Sequence, residues 1–142
     1  MGENFVSAGQ EVGHVHTSGL VDIPFPRSVH DVLLADGLAE EHHWVPDSGW
    51  ITFHVRKEED LKRALWLMRL SYLRYALKTA SDARGLLERE SDQLHLSPRF
   101  KSLLEPFVPR TTDDLRESGP RRVSERVYDP SVCDLWNTIS SR

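Results

Sequence analysis

Cysteine is nearly missing from this chain. Cys133 is the single thiol in 142 residues, which excludes intramolecular disulfides and any multi-cysteine zinc site. A reducing, cytoplasmic setting is the expectation. Long apolar runs are absent too. The longest, such as Ala64 to Met68, have five residues, far below the ~20 needed to span a bilayer, so no membrane partner is expected. Met1 to Gln10 has neither a basic region nor an apolar core and is not read as a secretory signal. Positive charge is not in excess. The formal net charge is −4, which argues against a nucleic-acid partner, whose affinity depends on neutralising phosphates. There is no glycine-rich phosphate loop, no nucleophile elbow and no His-Glu-x-x-His helix. What remains is 39% hydrophobic and 28% charged, the profile of a soluble domain. A chain of this length buries roughly two-thirds of its unfolded surface without covalent staples. These quantities bound the class and disclose no reaction.

The pattern along the chain predicts an α+β fold: a small antiparallel sheet packed against a long helix, with C-terminal helices and a partly irregular tail. Val12, His14, His16 and then Leu20 to Phe25 alternate like strands around Ser18-Gly19, a hairpin turn signal. Arg27 to Asp36 reads as a short helix stopped by Gly37. Leu38 to Val45 reads as extended, and Pro46-Asp47-Ser48-Gly49 as a turn. Trp50, Thr52 and His54 alternate with Ile51, Phe53 and Val55, the clearest strand in the chain.

Glu58-Glu59-Asp60 opens a long helix with acidic residues where the helix dipole favours them. Leu61, Leu65, Met68, Tyr72 and Ala76 form one apolar row on it. Trp66, Leu70, Leu73 and Leu77 form another, leaving Lys62, Arg69, Arg74 and Lys78 for solvent. A helix apolar over so much of its circumference is covered on two sides. A further helix is expected within 81 to 92, and a short one from Pro98 to Leu104 after Ser97. The division reads as a flexible N-terminus over 1–10, the α+β domain over 11–107, and an irregular, docking extension over 108–142.

Six of the seven histidines lie between residues 14 and 54. His14 and His16 are two apart on a strand and so share a face. Completed by His42 or His43 from the next strand, or by Asp22 across the Ser-Gly turn, they have the geometry of a three-ligand metal site. The same residues suit a metal-free polar pocket in which one imidazole is a general base, or a purely structural role. Adjacent His42 and His43 on a strand point opposite ways, so only one of them is expected at the site. His30 and His95 are expected on the surface.

Glu11-Val12-Gly13-His14-Val15-His16, Leu20-Val21-Asp22-Ile23-Pro24-Phe25-Pro26, the run from Ala39 to Phe53 and the helix around Trp66-Leu67-Met68-Arg69-Leu70-Ser71-Tyr72 resemble the luciferase-like domain. That domain occurs in bacterial and fungal proteins and is distantly similar to the fungal bioluminescence luciferase, which oxidises a polyphenolic pyrone with dioxygen and no known bound cofactor. The resemblance covers about residues 11 to 79. It implies the fold first, with His14, His16 and His42 in shared positions and Asp22 matching the bacterial relatives.

The expected function is therefore binding of a small apolar or aromatic molecule in a histidine-lined pocket, with oxidation of that molecule as the enzymatic version. His14, His16 and His42 are the candidate catalytic residues. Asp22, Trp44 and Trp50 are the candidate ligand-binding residues. No cofactor is expected, the alternative being a divalent metal on His14, His16 and His42. The rival reading is a non-catalytic module that docks on a protein partner or a second copy through Tyr128, Leu135 and Trp136.

Overall fold

The computed structural model describes residues 2–7 and 9–110. Their strands are β1 (Gly2–Ser7), β2 (Gln10–His16), β3 (Leu20–Pro24), β4 (Glu40–Glu41) and β5 (Trp50–His54). Their helices are α1 (Arg27–Ala35), α2 (Glu58–Thr79), α3 (Ala83–Gln93) and α4 (Pro98–Leu104). The strands form one antiparallel sheet in the order β1-β2-β3-β5-β4. This is the α+β architecture that the alternation and the long amphipathic stretch predict.

Strand register decides which residues share a face. His14 lies opposite Asp22, Asp22 opposite Thr52, and Glu40 opposite Thr52, so one row of polar side chains crosses the sheet. The residues between them point the other way. Val21, Ile23 and Ile51 are almost fully buried there and join the core with Leu67, Leu70, Leu73 and Leu77 of α2. Each such side chain contributes roughly 1.5–3 kcal/mol on burial, which seats α2 on this face. Gly13 permits the close approach, since a Cβ there would lie 2.5 Å from the Met68 sulfur.

Several expectations need correcting. Residues 2–7, expected to be flexible, form edge strand β1, paired along its length with β2. Its polar sequence hides this, because backbone pairing rather than apolar burial holds it. The register slips between Phe5 and Val6, where β2 carries an extra residue, Val12, into the core. The extended stretch from Leu38 to Val45 shrinks to the two residues of β4. His30 is buried at 1% exposure, because the covered arc of α1 is wide enough to take it in with Val29, Val32 and Leu33, while Arg27, Asp31 and Ala35 face solvent. Arg69 and Arg74 do not simply face solvent. Arg69 forms a two-pronged pair with Glu90 of α3, at 2.6 and 2.7 Å, and Arg74 bonds the Tyr75 hydroxyl at 2.6 Å.

The capping signals operate as expected. Gly37 follows α1 at φ +64°, and the Ser97 hydroxyl accepts from the Phe100 N–H at the start of α4. Asp60 accepts from the N–H groups of Arg56 and Lys57 at the start of α2. Among the described residues, no helix is long and apolar enough to cross a membrane.

Candidate functional site

The site grows from Asp22 at the centre of β3. Its carboxylate is 4% exposed and turns away from α2 with the polar row. One oxygen accepts the Thr52 hydroxyl at 2.6 Å. The other meets His16 Nε2 at 2.8 Å and His42 Nε2 at 3.6 Å. Burial alone pushes the Asp22 carboxyl up. Hydrogen bonds from Thr52 and His16, with the charges of His42 and His16, outweigh it and hold the group below its usual range. Asp22 is therefore an ionised, acceptor-only group at neutral pH.

That ionisation fixes the protons on its neighbours. His16 must donate from Nε2, which leaves the Nδ1 lone pair of the neutral ring available as a base. An aspartate that holds an imidazole by one nitrogen sets the tautomer and stabilises the imidazolium formed when the other takes a proton. His42 is fixed from its other side. Its Nδ1 accepts the backbone N–H groups of Trp44 and Val45 at 3.2 and 3.3 Å, so its own proton sits on Nε2, facing Asp22.

His14 lies edge-on to His16, with ring centroids 4.4 Å apart. Its Nδ1 is bonded to the Asn4 side-chain carbonyl on β1, and Gly2 leaves the space its Nε2 fills. Trp50 stands edge-on to His42 at 6.1 Å. Trp44 is 77% exposed and packs on the His43 ring at 4.7 Å, beside the cluster rather than within it.

The strand argument about His42 and His43 fails, because β4 ends at Glu41. The two rings lie in the turn that follows and stack nearly parallel, 10° apart in plane and 5.0 Å between centroids. The metal-ligand grouping among the described residues is consequently Asp22, His42 and His43, with one donor atom from each inside 4.8 Å. It is not the His14, His16, His42 trio that spacing suggested. The His42 nitrogen facing Asp22 carries the ring proton, whereas a metal needs a lone pair there. This arrangement suits proton transfer better than a cation.

Sequence reasoning missed Thr52 and Asn4 as participants and took His43 only as a substitute for His42. Thr52 was legible through β3–β5 pairing, since it stands opposite Asp22. His43 required knowing where β4 stops, and Asn4 required β1. Tyr128, Leu135 and Trp136 lie outside the described residues.

The class is thus a sheet-and-helix domain whose sheet face away from α2 carries an aspartate-anchored histidine cluster. Residues 9–71 match the family model described as Luciferase domain, which supports a luciferase-like domain over that stretch. No curated protein and no solved structure matches the chain.

Proposed function

We propose that this domain binds a small aromatic molecule with an acidic hydroxyl beside His16, on the sheet face away from α2, and removes its proton through His16. The supporting observation is the buried Asp22 carboxylate, held ionised while it grips His16 by Nε2. His16 Nδ1 takes the hydroxyl proton, and the bonding pair stays on the substrate oxygen. Asp22 offsets the charge that develops on the imidazole. Trp50 offers an aromatic edge for the ring, and His14 limits how the molecule enters beside His16. An ionised phenol or enol is the form that yields electrons readily to dioxygen. This joins the proton step to the oxidation implied by the family resemblance.

Phenols and their methyl ethers test this reading, because methylation replaces the hydroxyl proton with a methyl group. Amide shift mapping should place phenol binding at His14, His16 and Trp50. Phenol should bind more tightly than anisole, and His16→Asn should erase the difference. Equal binding of phenol and anisole to the wild type would overturn it.

A further inference from the structure

A second binding feature lies on the other side of the sheet. Phe53 follows Thr52 on β5 and therefore faces away from the histidines. With Trp66 of α2 and Phe100 of α4 it floors a groove of about 720 Å³, within the range of small-molecule sites. The Trp66 and Phe100 rings meet edge to face at 5.6 Å. The Trp66 indole N–H is satisfied by the Leu94 carbonyl at 2.9 Å, so the ring is held still.

Charge on the rim is asymmetric in its availability. Both acidic groups are engaged: Glu59 pairs with Lys57 at 3.8 Å, and Asp60 accepts the backbone N–H groups that open α2. Lys62 and Arg63 also line the groove. Neither makes an ion pair among the described residues. The Arg63 guanidinium instead sits 5.5 Å above the Trp66 ring, a cation–π arrangement that leaves its N–H donors for a ligand. His95 completes the rim in a left-handed conformation at φ +50°.

From this aromatic floor beneath two uncommitted cations we infer a binding site for a planar aromatic anion, such as an aromatic carboxylate. The ring packs against Phe53 and Trp66, and the carboxylate meets Arg63 and Lys62. The site is independent of the proton chemistry on the opposite face.

The test compares 2-naphthoate with neutral 2-naphthalenemethanol on the full chain, by amide and indole shift mapping and by titration. Naphthoate should perturb Trp66, Arg63 and His95 and bind about three- to tenfold more tightly than the alcohol, as expected for exposed charge pairs. Raising the salt should shrink that preference. Lys62→Gln with Arg63→Gln should abolish it, and both side chains are exposed, so the fold is not at stake. Equal affinities in the wild type, a preference that survives the double variant, or shifts confined to the His16 face would overturn the proposal. So would no naphthoate binding at millimolar concentration.

Discussion

Replacing Asp22 with asparagine changes one atom and tests how the cluster is held. The carboxylate accepts from Thr52 at 2.6 Å and His16 at 2.8 Å and faces His42 at 3.6 Å. Asparagine keeps one acceptor oxygen and sets an NH₂ donor against another donor. A buried hydrogen bond to a charged group is worth about 1.5–3 kcal/mol, so a loss of roughly 2 kcal/mol is expected. At about 4 °C per kcal/mol for a chain of this size, Tm falls by about 8 °C. The pH dependence carries the sign. Asp22 titrates below its ordinary 3.8 in the folded protein, so its stabilisation is complete above that value and is lost as pH falls through the lower folded value. Denaturant melts of both proteins should therefore show a full gap at neutral pH that closes in the acid range below about 3.8. A gap that persists undiminished below that range would refute the ionised-carboxylate reasoning.

Three further outcomes are expected. Gly49→Ala should cost about 2 kcal/mol, since Gly49 sits at φ +84° with a Cβ position 2.6 Å from the Phe25 carbonyl; equilibrium unfolding reads this. Glu90→Ala strips a nearly buried partner from Arg69 and should destabilise by roughly 3 kcal/mol, with Glu90→Gln milder, in the same assay. Long-range ¹H–¹⁵N spectra of the neutral rings should report a protonated Nε2 on His16 and His42 and a protonated Nδ1 on His14. Protonation of His42 at Nδ1 would contradict its bonds to Trp44 and Val45.

Elements that follow from local pattern were legible in the sequence. The acidic opening and double apolar row of 58–79 announce α2, and the alternation of Trp50 to His54 announces β5. β1 was not legible, because an edge strand held by backbone pairing needs no apolar pattern. The pairing of His16 with Asp22 follows from the hairpin, where parity puts both on one face. The stacking of His42 on His43 does not, since it depends on β4 ending at Glu41 and the backbone turning there. His30 was misjudged because the apolar positions of α1 do not show how wide its covered arc is, and His30 falls inside it beside Val29 and Leu33. Helix periodicity marked Arg69 as polar, and only the docking of α3 reveals Glu90 as its counterpart.

The central claim is that His16, gripped by Asp22, takes a proton from a bound phenol. The ionisation of 4-nitrophenol reads this directly, because phenol and phenolate absorb at different wavelengths. Below its solution pKa, 4-nitrophenol bound to the wild type should show more phenolate than the free compound, and this excess should disappear in His16→Asn. An ionised fraction equal to that in solution, or an excess that persists without His16, would contradict the account.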